Sequence, residues 1–340
     1  MSDSKFYLIN KDGDFSELDS LEKALTKLKD GGFIWLSYFR PQKEELNKLI
    51  GPLGLHPLSI EDCLDEEQIP KLDNFPNHTH ILFNTFDYTG EKLSISEINF
   101  FLGENFIVSV SRNDKDEPLV LKNIEDLIRH DLENSIKGPA FIMHMILDYI
   151  VDKKFLAIEA IEDEIVKAED AMLDNLADFN PGQLQRIRRD LLALRKSLFH
   201  EREILGKISR KDIRFIPDSA IFHYSDIYDH LTKFFELTEI NREMVTSLTQ
   251  MNLSLLNNKM AKSANQTNMS VKRLTSITTV FMPLTLLAGV GGMSEWTMMT
   301  GQENWKIAYP AFISGMIVIA LVNHFLLKWL GRKDNMIDGE

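Results

Sequence analysis

His78 and His80 lie two residues apart in a run that alternates like a strand, so both rings fall on one face. Such a pair either ligates a metal or packs as an ordinary histidine pair. The carboxylates Glu159, Glu162, Asp163, Glu164, Glu169, Asp170 and Asp174 crowd a helical stretch. They repel one another unless cations screen them, or they are simply a solvated helix face. Amides recur at Asn257, Asn258, Asn265 and Asn268, where a ring of them around an axis would bind hydrated ions. Further on, Thr275, Ser276, Thr278, Thr279 and Thr285 place hydroxyls in an apolar run. These line a polar path or back-bond to their own helix, and both readings stay open. Cys63 is the single cysteine, which excludes an intrachain disulfide and a zinc site of several thiolates and fits a packed side chain. A phosphate-binding glycine loop, an HExxH pair and a Ser or Cys nucleophile in a recognisable setting are all missing, so no enzyme is expected.

What must hold these groups is partly a membrane. No charge occurs from Leu274 to Met293 or from Ile307 to Leu327. Each run has roughly 20 residues, enough at about 1.5 Å per residue to cross about 30 Å of hydrocarbon. Lys272 and Arg273 precede the first span, and Lys328, Arg332 and Lys333 follow the second, whereas the short connection carries Glu295, Glu303 and Lys306. The positive-inside rule then places both chain ends in the cytoplasm, with Trp296, Trp305, Tyr309 and Trp329 at headgroup depth. No secretion signal opens MSDSKFYLIN, and a net charge of -13 argues against a nucleic-acid partner and suits one for cations. Two helices cannot enclose a water-filled path, so a pore requires a cyclic homo-oligomer. The first span, with its hydroxyls and with Gly289, Gly291 and Gly292, is the lining candidate; the second reads as lipid-facing.

The rest of the chain folds in water. KFYLIN, GFIWLSYF, THILFNTF, SISEINFFL and FIVSVSR read as strands, the last two joined by a turn at Gly103-Glu104-Asn105. ELDSLEKALTKLKDGG reads as a helix, with Leu18, Leu21, Leu25 and Leu28 on one side and Gly31 as its stop. Beyond Pro139 helical periodicity persists, broken at Phe179-Asn180-Pro181-Gly182 and Phe215-Ile216-Pro217-Asp218. The third helix meets no proline before Pro283, a stalk of roughly 100 Å that enters the bilayer. The expected fold class is therefore an α+β membrane protein. Its parts are an α/β domain (1–135), an antiparallel acidic helical pair (136–215), a stalk (216–273), spans at 274–293 and 307–329 around a loop (294–306), and a tail (330–340).

This order resembles the CorA family of magnesium and divalent-cation transporters over nearly the whole chain. The match rests on His56-Pro57-Leu58-Ser59-Ile60-Glu61-Asp62 with Gln68, Pro70 and Lys71, on Asp226-Ile227-Tyr228-Asp229-His230, and on Leu274-Thr275 followed by Phe281-Met282-Pro283-Leu284-Thr285. The family's Gly-Met-Asn filter stands here as Gly292-Met293-Ser294, preceded by Gly291 where an aromatic residue is usual. In the family an asparagine ring meets magnesium with its water shell attached, which suits an ion that dehydrates reluctantly. A seryl ring is shorter and wider, and Glu295 beside it is either a cation-concentrating charge or an ordinary loop charge.

The resemblance implies a funnel-shaped homopentamer in the inner membrane. Asn268, Leu274, Met282 and Thr285 would line the pore, Leu274 and Met282 as apolar constrictions, and Asp226 would help bind regulatory Mg2+ between subunits. Bound Mg2+ would hold the ring closed. The expected cargo is Mg2+, with Co2+, Ni2+ or Zn2+ as further candidates. Proton-coupled zinc transport and a non-conducting ion sensor are the alternatives, because the filter Asn is replaced.

Overall fold

The computed structural model describes residues 3–10, 14–28, 31–65, 68–89, 92–112, 124, 126–129, 137–176, 179–293, 298 and 301–337. It divides into two units, Met1–Asn252 and Leu253–Glu340.

The first unit is built on a seven-stranded sheet. Its strands are β1 (Asp3–Ile9), β2 (Phe15–Leu18), β3 (Phe33–Phe39), β4 (Lys71–Asn74), β5 (Thr79–Thr89), β6 (Lys92–Leu102) and β7 (Phe106–Arg112), in the order β2-β1-β3-β7-β6-β5-β4. Only β3 and β7 run parallel. Gly103 turns the chain from β6 to β7 because a Cβ there would collide with the Phe106 ring. The start of ELDSLEKALTKLKDGG departs from the helix expected. Phe15–Leu18 forms β2 against β1, and Phe15 stacks on Tyr7 at 5.0 Å. Helix α1 (Leu21–Lys27) begins only after Ser20, whose hydroxyl accepts the Lys23 N–H. Pairing with β1 outweighs helix propensity for Glu17 and Leu18.

Helices α2 (Lys43–Asn47), α3 (Ile50–Leu53) and α4 (Pro57–Leu64) follow β3. Leu46, Leu49, Leu53, Ile60 and Cys63 join Leu36, Tyr38, Phe101 and Val108 in one core. Full burial of a Leu, Ile or Phe side chain contributes about 1.5–3 kcal/mol each. Pro57 suits the first helical position, and His56 caps α4 by accepting the Leu58 N–H on Nδ1 at 3.2 Å. Cys63 is packed as expected, its thiol pushed up to about 12 by burial.

Helices α5 (Pro139–Asp174), α6 (Pro181–Ser209) and α7 (Asp218–Gly291) complete this unit, and α7 continues into the second. Ion pairs Lys154–Glu201 and Glu164–Arg186 join α5 to α6. Their partners descend along α6 as they ascend along α5, so these helices run antiparallel. Arg195–Glu239 and Ser209–Ser225 set α6 antiparallel to α7 by the same logic. Asn84 of β5 is tied to α6 through its amide to Ser197 at 2.8 Å and its N–H to Glu201 at 3.0 Å. Tyr224 is fully buried and donates its hydroxyl to the Ala140 carbonyl at 2.6 Å, clamping α7 to the first turn of α5. Tyr224→Phe is expected to cost about 1 kcal/mol in a chemical denaturation series. An unchanged midpoint would show that the clamp contributes nothing.

The second unit holds the end of α7 and α8 (Trp305–Ile337), preceded by a 3-10 turn at Gln302–Asn304. Both helices contain stretches long and apolar enough to cross a membrane, and no residue of those stretches is fully buried within the chain. Leu274, Met282, Leu286 and Phe325 stand exposed, a surface that lipid or other subunits must cover. Pro283 sits inside α7 without ending it. A Cβ at position 291 would collide with the Phe312 ring, so glycine there admits Phe312 of α8.

Candidate metal centre and conduction helix

Asp226 and His230 are four residues apart on α7 and therefore share one face. Contacts between α5 and α7 place Asp148 beside them: Tyr224 bonds Ala140, Phe141 meets His223 edge-on at 5.6 Å, and Phe155 stacks on Phe234 at 5.3 Å. The result is two carboxylate oxygens and an imidazole nitrogen all within 4.8 Å of one another. Burial holds the Asp148 carboxyl above the usual range, the charges of Asp152 and Asp226 push it the same way, and His230 and His223 oppose them. His230 Nδ1 is buried without a hydrogen-bond partner. A divalent cation answers all of these conditions at once, because it neutralises the carboxylates and accepts the imidazole lone pair.

The sequence reading singled out Asp226 without a partner. It missed Asp148, whose signal was present: a carboxylate inside an otherwise apolar helical run, flanked by Ile146, Leu147, Ile150 and Val151, all of them buried. The acidic run behaves otherwise. Glu159, Glu162, Asp163, Asp170 and Asp174 are exposed and Glu169 is half-buried, the solvated-face alternative. Glu164 is buried and taken up by Arg186, Tyr88 and Gln183. His78 and His80 pack rather than form a two-imidazole site. His78 Nε2 meets Ser59 Oγ at 3.0 Å and its ring stacks on Phe75, while His80 Nε2 meets Asn99 Oδ1 at 2.9 Å and its ring stacks on Phe101.

Along α7, Asn268, Leu274, Met282 and Thr285 are all exposed within the chain. At about 100° per residue these positions fall within an arc of about 120°, one face of the helix. The hydroxyls back-bond: Ser276 to Lys272, Thr278 to Leu274, Thr279 to Thr275 and Thr285 to Phe281, each donating to the carbonyl four residues earlier at 2.8–2.9 Å. Back-bonding uses the hydroxyl proton only, so each oxygen retains a lone pair for water. Gly292 and Met293 close the helix end, their N–H groups donating to Ala288 at 3.0 Å and Val290 at 3.2 Å. Ser294 and Glu295 lie outside the described residues.

The family profile described as "CorA-like Mg2+ transporter protein" matches residues 30–329. The chain belongs to the CorA family. It is 29% identical over 303 residues to the cobalt/magnesium transport protein CorA of Thermotoga maritima, covering 87% of this chain and 83% of that one. A more distant relative, the zinc transport protein ZntB of Cronobacter sakazakii, is 20% identical over 293 residues, 84% of this chain and 83% of the other. The fold is shared with the complete structure of the CorA magnesium transporter from Methanocaldococcus jannaschii, with a TM-score of 0.72 at 21% identity and 97% of each chain covered. As a CorA-family member this protein is a divalent-cation transporter with C-terminal membrane helices, and not an enzyme.

Proposed function

We propose that this CorA-family protein admits hydrated Mg2+ through a homopentameric pore in the inner membrane, with both termini cytoplasmic, and that cytoplasmic Mg2+ closes it. The observation that carries the regulatory half is the Asp148–Asp226–His230 cluster, because Asp226 and His230 belong to the same 74-residue helix as Leu274, Met282 and Thr285. An ion that fixes α7 against α5 biases one arrangement of that helix, and its loss releases it. The apolar side chains of Leu274 and Met282, repeated around the ring, form constrictions that dewet when narrow. Gly292, Met293, Ser294 and Glu295 form the outer mouth, where Ser294 hydroxyls bond the water shell of Mg2+ and Glu295 raises the local cation concentration. No covalent chemistry is involved. An inside-negative potential supplies about 2.3 kcal/mol per charge per 100 mV, twice that for a divalent ion.

A second reading, zinc carried with protons, draws on His230 in the cluster, since imidazole suits Zn2+ better than Mg2+. Flux into proteoliposomes separates the two. Mg2+ entry driven by potential alone is expected, with Co2+ and Ni2+ following, and Ser294→Asn is expected to shift the ratio of Mg2+ to Zn2+ flux severalfold. Zn2+ flux that stops when the proton gradient is collapsed would replace the first reading by the second.

A further inference from the structure

A second set of ligand atoms lies on the sheet, separate from the α5–α7 cluster. β5 runs between β4 and β6, with His80 in register with Asp73 on one side and with Phe101 on the other. Helix α4 packs on the same core as Phe101 and brings Asp62 to this place. Oxygens of Asp62 and Asp73 and a ring nitrogen of His80 all lie within 4.8 Å of one another. The histidine is completely buried, and its Nε2 is committed on the β6 side to Asn99 Oδ1 at 2.9 Å. That oxygen can only accept, so Nε2 carries the proton and Nδ1 presents a bare lone pair. Nδ1 has no partner, and it is the ring nitrogen left for the β4 side, where Asp73 stands.

The carboxylates are held for now by Lys71, whose ammonium lies 2.7 Å from Asp62 and 3.9 Å from Asp73. Lys71 donates to Asp62 and stands beside Asp73, and it makes no hydrogen bond to Nδ1, which stays without a donor. The ammonium satisfies half of the site and leaves one net negative charge on the Asp62–Lys71–Asp73 trio. We propose that Asp62, Asp73 and His80 form a binding site for a borderline divalent cation of the zinc, cobalt or nickel class, with Lys71 as the competing occupant. Replacing one positive charge by two neutralises both carboxylates, and the ion takes the imidazole lone pair as its third ligand.

Metal–ligand bonds of about 2.0–2.2 Å require donor atoms no more than about 4.4 Å apart, so the oxygens must close in slightly as the longer ammonium contacts are lost. Lys71, Asp62 and Asp73 are only half-buried, which leaves Lys71 room to swing into solvent and the ion an entry path with space for a water ligand. One nitrogen and two oxygens with His80 Nε2–H anchored on Asn99 is the donor set and outer support of a transition-metal site. Mg2+ keeps its waters, and the completely buried His80 leaves less room for them than the α5–α7 cluster, where Asp226 is exposed and His230 half-buried, so Mg2+ binds here less well than there.

The test uses the full chain in lipid nanodiscs with Co2+ as probe, in an Asp148→Asn, Asp226→Asn background that removes the other cluster. Equilibrium dialysis is expected to find one more Co2+ per subunit in this background than in the same protein carrying His80→Phe. The phenyl ring keeps the stack on Phe101, and a visible absorption band of nitrogen-ligated Co2+ should vanish with it. Lys71→Met, which removes the competitor, is expected to tighten Co2+ binding at least tenfold. Equal Co2+ with and without His80, or binding unchanged or weaker in Lys71→Met, overturns the proposal. The Lys71 arm decides alone if His80→Phe does not fold.

Discussion

Glu201→Ala is expected to destabilise the first unit by about 3–5 kcal/mol, the largest loss from any single substitution considered for this chain. Lys154 and Glu201 are both completely buried, and burial pushes the Lys154 ammonium down against the opposing pull of Glu201. The ammonium also lies over the faces of Phe83 at 5.4 Å and Phe86 at 4.7 Å, which attract a cation but accept no strong hydrogen bond. Removing Glu201 thus strands a charge, and it also takes the acceptor from the Asn84 N–H and the Ser197 hydroxyl. The double substitution Lys154→Met, Glu201→Leu should recover most of the loss, because two apolar side chains of similar size need no partner. Denaturant midpoints of the two singles and the double decide this. A Glu201→Ala loss below about 1 kcal/mol would mean that water reaches Lys154 and that the pair is not sealed.

Asp148→Asn with Asp226→Asn is expected to abolish inhibition of flux by internal Mg2+, raising the half-inhibiting concentration at least tenfold. Each carboxylate supplies a charge, and neither amide replaces it. An independent readout is thermal. An ion present at a hundred times its dissociation constant stabilises the folded protein by about 2.7 kcal/mol, a rise of roughly 5–10 °C in Tm for a unit of this size. The wild type should show that rise with Mg2+ and the double variant should not. Retained inhibition together with lost thermal stabilisation would place the regulatory ion elsewhere. The His80 site is intact in both proteins, so it cannot account for a difference between them.

Much of this was legible in the residues. Two charge-free runs, the basic flanks around them and the stretch without proline from Ser219 to Pro283 dictated a long helix leading to a second apolar helix, because length and charge alone decide what a bilayer accepts. Five of the strands were marked by runs rich in β-branched and aromatic residues, each seven or more residues long in the structure. β2 and β4 were not, since four residues each carry too little period and owe their form to pairing with β1 and β5. The motif Asp226-Ile227-Tyr228-Asp229-His230 marked Asp226, by resemblance, as one member of the candidate metal centre, and left His230 unmarked.

The pairing of Asp226 with Asp148 was beyond sequence, although Asp148 itself stood out in its apolar run. Asp148 lies 78 positions before Asp226, and nothing local shows that packing of α5 on α7 will bring their carboxylates together. Whether a charge is solvated, paired or stranded is a property of its surroundings in space. The same kind of side chain is therefore exposed at Glu159, paired with Arg186 at Glu164 and held beside Asp226 at Asp148. The hydroxyls of the first span had two local options, and the helix carbonyl four residues back took their protons. His78 and His80 looked equivalent by spacing, and each keeps Nδ1 without a partner, yet among the described residues it is His80 whose ring nitrogen lies within 4.8 Å of Asp62 and Asp73 oxygens. Local pattern determined the elements and the apolar spans because those depend on neighbours in the chain, whereas the candidate ion centres were decided by tertiary packing, which alone sets distance, burial and competing partners.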